Sequence, residues 1–372
     1  MGRPTRLVIC CLVLLVGCKR TASPQPGAAA IVSPPPVGAL LVGGACRDGA
    51  RCYETIGAAM QAAQPGDTIV VAAETYTEAV TFSQPDLNSR GSGMPEYRDR
   101  QLLGGTIVVG SIDCNGQPGA KVLDLGVVAA PEGVNAVVSG KPGHGQIVDH
   151  TFENLALLGP GYAARTHALL SNSGSGVTVR NLRMYHWYHG LALKCVDATV
   201  EDVYGLECAG STIIVKSDDS TGDAARISIR RVGIDGVGRG QQWGGSIVVQ
   251  SAAAAYATFD VTIHDVTARN ASRGAILIDR LDGLGSVSAI TVTQVVSERA
   301  GSSANRADFD VSAASDVRLE DCSSTASRGY GFRARDGASG VVVVRGQVIG
   351  ARAAEYDGAF DRLEINGRSV VP

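Results

Sequence analysis

The sequence predicts an all-β solenoid, a parallel β-helix of short strands with one short helix capping its N-terminal end. Three observations carry that prediction. Of 372 residues, 47 are Gly, 45% are apolar and only 19% are charged. That balance is too poor in charge for disorder and too rich in Gly for a coiled coil or a long helical bundle. A six-residue unit (apolar, any, apolar, any, polar, apolar) then recurs as Val177-Val179-Leu182, Ala198-Val200-Val203, Ile227-Ile229-Val232, Val261-Ile263-Val266, Ile290-Val292-Val295 and Val317-Leu319-Cys322. Its last positions stand 21 to 34 residues apart, the period of a solenoid, in which each coil buries its inner face only against its neighbours. A sandwich would show more hairpin turns and a propeller a stricter period.

Taken in order, the chain begins with Arg3 and Arg6 ahead of an apolar run from Leu7 to Val16. The run is too short to span a bilayer permanently and fits the apolar region of an export signal. It ends in Leu15-Val16-Gly17-Cys18, which resembles the bacterial lipobox. The resemblance implies that residues 1–17 are a signal peptide, that Cys18 is lipidated, and that the protein sits in the cell envelope. Lys19 stands where the pattern for inner-membrane retention has Asp, so the outer membrane is the expected location. Residues 18–44 are rich in Pro, Ala and Gly, with no periodic apolar face, and read as a tether; the folded domain is expected over 45–372. A formal charge of -3 offers no basic field to nucleic acid, and the membrane is met only through the lipid anchor.

Cys46 and Cys52 bracket five residues, and in an oxidising compartment a small disulfide loop is expected there. A metal site would need further ligands close by. Cys114, Cys195 and Cys208 have no pairing that sequence can fix, whereas Cys322 falls at an inward place as a small buried hydrophobe.

Ile56, Ala59, Met60 and Ala63 recur on one helix face, and Gln64-Pro65-Gly66-Asp67 stops that helix. Thr68 to Ala73 is a strand, followed by Glu74-Thr75-Tyr76-Thr77-Glu78. The stretch Ile56 to Glu78 resembles the start of the right-handed parallel β-helix in the pectate-lyase-like superfamily, with Ala73-Glu74 in place of the usual Pro-Gly. The resemblance implies a single right-handed parallel β-helix and leaves the reaction open.

A second strand set precedes the first in each coil: Ala168 to Ser171, Leu191 to Lys194, Ile213 to Lys216, Ile247 to Gln250, Ile276 to Asp279 and Phe309 to Ser312. Aligning them puts Ser171, Lys194, Lys216, Gln250, Asp279 and Ser312 in one register, which strand alternation turns outward. Successive members of such a column lie about 4.8 Å apart. Asp218, Asp219 and Asp223 follow Lys216, Arg280 follows Asp279, and the two tryptophans, Trp187 and Trp243, each precede a strand of the set. Acids, bases and flat indole faces suit a polysaccharide, because sugar rings stack on aromatic faces; edge charges also keep a solenoid soluble and blunt its pairing.

Three chemistries fit this set. In β-elimination of an acidic polysaccharide, Lys216 is the base, with Lys194 and Arg280 as further catalytic candidates although Arg280 comes one coil too late for the lyase pattern, while Asp218, Asp219 and Asp223 are hard oxygen ligands for Ca²⁺. Ile214-Val215-Lys216-Ser217 is similar to the Lys-Ser stretch of chondroitinase-B and alginate lyases of this fold, although Gln250 stands where those enzymes place an Arg. Asp218-Asp219 and Gly143-His144-Gly145 resemble motifs of the polygalacturonases, in the reverse of that family's order. His186 and His189, in Tyr185-His186-Trp187-Tyr188-His189, pair for acid–base or metal chemistry, or else pack as a hydrogen-bonded turn. The expectation is an anchored envelope protein that binds a polysaccharide, with Trp187, Trp243, His186, His189 and Asp279 as contact residues and with cleavage at Lys216. The rival is a non-catalytic scaffold or adhesin.

Overall fold

The computed structural model describes residues 36–46, 51–129, 134–140, 148–161, 166–236, 245–300 and 306–371. Cys18, Trp243 and Gly143-His144-Gly145 lie outside them, as do the signal segment and most of the tether.

Thr55 caps the one helix among the described residues, Ile56–Ala62, its hydroxyl accepting the Ala58 N–H at 3.1 Å. Ile56, Ala59 and Met60 are buried and close one end of the core. The helix stops where Pro65 disfavours a helical backbone at the residue before it. Leu40–Val42 pairs in parallel with Arg51–Tyr53 and with Thr68–Val71. The solenoid therefore starts ahead of the expected boundary at residue 45, because three consecutive buried apolar residues end the tether.

Two rows of parallel strands follow. The first contains Val137–Gly140, His167–Ser175, the start of His189–Leu206, Ile213–Ser217, Ile247–Ser251, Ile276–Arg280, Ala307–Ser312 and Tyr330–Arg335. The second contains Lys121–Val128, Thr151–Leu158, Thr178–Tyr185, the rest of His189–Leu206, Ala224–Asp235, Ala257–Arg269 and Ser286–Glu298. Each second-row strand bends at one shared place, besides an earlier left-handed residue (Asp197, Arg226, Asp260 or Ala289) in the longer strands. The bends fall at Asp124, Asn154, Asn181, Asp202, Arg231, Asp265 and Gln294, whose φ values lie between 48° and 58°. This is the polar fifth place of the six-residue unit, so the unit wraps a corner. Asn and Asp tolerate that left-handed backbone best among residues with a side chain. They also stack: Asn154 Nδ2 donates to Asp124 Oδ1 at 2.7 Å and Asn181 Nδ2 to Asn154 Oδ1 at 2.8 Å.

Inside the corner the apolar places align from coil to coil, Val179 on Val200, then Ile229, Ile263, Val292 and Leu319. All are buried, and each such side chain contributes about 1.5–3 kcal/mol. Phe309 and Phe332 stack in the same interior with centroids 4.8 Å apart. Cys114, Cys195, Cys208 and Cys322 are buried free thiols, raised above the ordinary pKa by burial. Cys46 and Cys52 are exposed and not joined in a disulfide. They are neighbours, the Cys46 thiol being raised chiefly by its hydrogen bond to Cys52, so the expected disulfide is unformed while its partners are adjacent.

Trp187 belongs to this core and is not a sugar platform. His186, with φ 58°, turns the chain at another corner. The indole that follows is wholly buried, its Nε1 donating to the Leu157 carbonyl at 2.9 Å.

Candidate functional site

The outer face of the first row holds the candidate site. The observed register pairs Lys216 with Gln250 and Gln250 with Asp279, as the sequence implies. One coil earlier it corrects the column. Asn172, and not Ser171, stands beside Lys194, while Ser171 pairs with Leu193 and is buried. The pairing is regular from Leu169 on Leu191 to Asn172 on Lys194, so the slip lies in matching Ala168, rather than Leu169, with Leu191.

Lys194 and Lys216 occupy adjacent coils but different states. Lys194 Nζ lies 2.8 Å from Asp218 Oδ2. The other oxygen of Asp218 accepts the Ser220 N–H at 3.0 Å, the Ser220 hydroxyl at 2.6 Å and the Thr221 hydroxyl at 2.9 Å. These donors hold the Asp218 carboxyl well below the usual carboxylate range against the cost of its burial. Lys216 is half-buried and has no ion-pair partner among the described residues. Burial, then the charge of Lys194, lowers its pKa against the pull of Asp218.

His167 and His189 face each other across the same coils, their rings stacked at 5.2 Å. His189 Nδ1 accepts the Ser211 N–H at 3.2 Å, which leaves Nε2 to carry the proton. Burial, Lys194 and Lys216 push His167 down to about 4, so it is a neutral imidazole at ordinary pH. Sequence reasoning passed over His167; its place at the start of a first-row strand was the available signal.

Further along the face lies an arginine cluster. Arg333 Nε donates to Asp310 Oδ1 at 3.1 Å, and both side chains are buried. Arg335 Nε reaches the same oxygen at 3.3 Å and also pairs with Asp336. Burial and the neighbouring arginines lower Arg273 to about 10 and lower Arg306 as well. Asp279 is raised by burial. The alternation of Phe332, Arg333, Ala334 and Arg335 could have disclosed the two outward arginines, had this coil been aligned with the others.

Several expected groupings are not assembled. Asp218, Asp219 and Asp223 do not fit a Ca²⁺ site: both oxygens of Asp218 are engaged, and Asp223 Oδ1 holds the Ala257 N–H at 2.8 Å. No cluster of three His, Cys, Asp or Glu suited to a metal occurs among the described residues. His186 does not pair with His189. Its Nε2 lies 2.5 Å from the Tyr97 hydroxyl and its Nδ1 3.2 Å from Glu207 Oε2. Tyr97 comes from an antiparallel hairpin, Glu96–Arg98 with Gln101–Leu103, and stacks on Tyr185 at 3.9 Å. The hairpin thus lies over the outside of the second row and takes up the His186 ring.

No protein-family model matches the sequence, and no curated protein matches it. Among solved structures, the A-module of the mannuronan C-5 epimerase AlgE6 of Azotobacter vinelandii aligns with a TM-score of 0.50 and 14% identity, over 84% of this chain and 93% of that one. A family 28 exopolygalacturonase of Yersinia enterocolitica aligns with a TM-score of 0.49 and 10% identity, over 85% of this chain and 76% of that one. At such identity the likeness is one of backbone: the chain is a right-handed parallel β-helix with a short N-terminal capping helix.

Proposed function

We propose that this is an envelope protein, anchored through a lipid on Cys18, that lays an acidic polysaccharide across the outer face of the first row and cleaves it by β-elimination. The observation that carries the reading is Lys216, a half-buried amine without an ion-pair partner among the described residues and with a lowered pKa, next to a lysine that is paired with a carboxylate. A base must shed its proton near the working pH, whereas a charge stabiliser must keep it. The two lysines divide those roles. The name of the epimerase that shares the fold, a mannuronan enzyme, agrees with a uronate polymer as substrate.

In this mechanism the neutral Lys216 amine takes the proton α to the uronate carboxylate. The C–H electron pair forms the ring double bond, and the bond to the glycosidic oxygen breaks. Lys216, now an ammonium, returns the proton to that oxygen, so one residue serves as base and then acid. The Lys194 ammonium opposes the charge that builds on the carboxylate, and the neutral imidazole of His167 adds a polar contact without competing for the proton. Asp218 positions Lys194 and touches no substrate.

The test is to incubate the mature protein with a panel of polyuronates and follow the ultraviolet absorbance of the unsaturated product. A rise that Lys216→Ala reduces by about 100-fold or more supports the reading. A flat trace on every polyuronate, from protein whose fold is verified, overturns cleavage.

A further inference from the structure

Two coils beyond Lys216 the first row carries a second feature. In the coils of Ile213–Ser217 and Ile247–Ser251 the last place of the strand is a buried serine, and Ser217 Oγ donates to Ser251 Oγ at 3.0 Å. In the next coil the same register place is Arg280. An arginine now ends a column built for serine. Its Nε is buried and has no hydrogen-bond partner. A buried N–H left unpaired is costly, the more so on a charged group, so the native fold keeps this one at a cost.

Arg280 opens onto a cavity of about 380 Å³ lined also by Asp279, Ser312, Arg335 and Asp336. The acids there are already engaged. Asp336 holds Arg335 and accepts the Ser312 hydroxyl at 3.0 Å, and Asp310 beside it holds Arg333 and Arg335. Five arginines gather in this neighbourhood (Arg273, Arg280, Arg306, Arg333 and Arg335) against the carboxyls of Asp279, Asp310 and Asp336, and Arg273 and Arg306 are lowered partly by their arginine neighbours. The excess is positive and half-buried, and the buried side-chain atom of the lining residues that lacks a partner, Arg280 Nε, is a donor.

We infer that the cavity at Arg280 and Arg335 is a subsite for a sugar-borne oxyanion, a uronate carboxylate or a sulfate ester, on the glycan that crosses Lys216. The inference rests on the placement of that glycan proposed above, though not on its cleavage. Arg280 stands two coils from Lys216 and one place further along its strand, beyond Asp279, which shares the Lys216 column; two coils span about 10 Å, so the oxyanion belongs to a sugar further along the same chain. Short oligosaccharides that reach only Lys216 cannot touch Arg280, and longer ones can.

Calorimetric titration of the mature protein tests this with two probes, unsulfated oligouronates from disaccharide to hexasaccharide and a sulfated neutral oligosaccharide series of the same lengths. Each is titrated into the wild type, Arg280→Gln and Lys216→Ala. In at least one series the wild type binds the long oligosaccharide more tightly than the short one. Arg280→Gln weakens the long ligand by about 10- to 100-fold and leaves the short one unchanged. The series that shows this names the oxyanion. Lys216→Ala keeps the length dependence, so a failure of the cleavage reading and a failure of the subsite show in different columns of the experiment. Equal affinity of wild type and Arg280→Gln for long ligands in both series, with equal thermal midpoints, overturns the subsite. If Arg280→Gln loses its fold, the wild-type length dependence decides alone, and its absence in both series overturns the proposal equally.

Discussion

The outer faces of the two rows both carry charges and use them differently. On the second row, charges on neighbouring coils meet in register. Arg226 grips Asp197 at 2.5 Å, Arg231 grips Asp202 at 2.7 Å, Arg269 meets Glu298 at 2.9 Å and Arg345 meets Asp321 at 2.6 Å. These pairs are exposed, each links one coil to the next, and they leave the face closed to a charged ligand. On the first row Lys216 has no ion-pair partner and Arg280 Nε has no acceptor, while arginines outnumber the acids around them. A charged solenoid edge is therefore no sign of function. What singles out a face is charge that is half-buried and left without a partner.

The largest effect expected from this contrast concerns the one buried ion pair of the first row. Asp310→Ala strands Arg333 and should lower stability by about 3–5 kcal/mol, seen as a fall in the urea midpoint. A change no larger than that of an exposed second-row pair would erase the distinction between the faces. Next comes acid sensitivity. His167 titrates at about 4 in the fold and near 6.5 when unfolded, so the unfolded chain takes up the proton first. Its contribution to stability is complete above pH 6.5 and is lost as pH falls toward 4, on the order of 3 kcal/mol. Thermal midpoints measured from pH 7 to 4 should fall less for His167→Gln than for the wild type; parallel curves would show that the imidazole is not held neutral.

A smaller effect separates the two lysines. Lys194 lowers Lys216 and Asp218 raises it, so the ascending limb of the elimination rate, where Lys216 sheds its proton, should move to higher pH in Lys194→Met and to lower pH in Asp218→Asn. Shifts of the same sign would refute the division of roles. Smallest of all, Arg226→Ala on the second row should leave both thermal midpoint and rate nearly unchanged, as exposed ion pairs usually do.

The coil architecture was legible because it is written in repetition. The apolar places of the six-residue unit are buried in every coil, the helix runs over Ile56–Ala62 as its spacing implies, and Cys322 is buried. The polar fifth place was read only as polar, since a corner and a straight strand share one pattern until φ is known. The site was legible in part. Lys194, Lys216 and Asp218 come together as expected, whereas the carboxylate trio does not, because Ser220, Thr221 and the Ala257 N–H compete for its oxygens. Trp187 misled for a related reason: its neighbour His186 turns the corner and drives the indole inward, and nothing in the local sequence says which way that corner faces. Tyr97 and Arg335 reach their partners from 89 and 25 residues away, distances at which only the register of coils connects them.

The claim at the centre of this account is that Lys216 is a free base on the first row. Its amine can be followed directly, by nuclear magnetic resonance titration of protein labelled at the lysine side chains and assigned through Lys216→Arg. The account predicts that Lys216 titrates below the ordinary lysine value of about 10.4 and moves upward in Lys194→Met. A titration at or above the ordinary value, indifferent to Lys194, would contradict it.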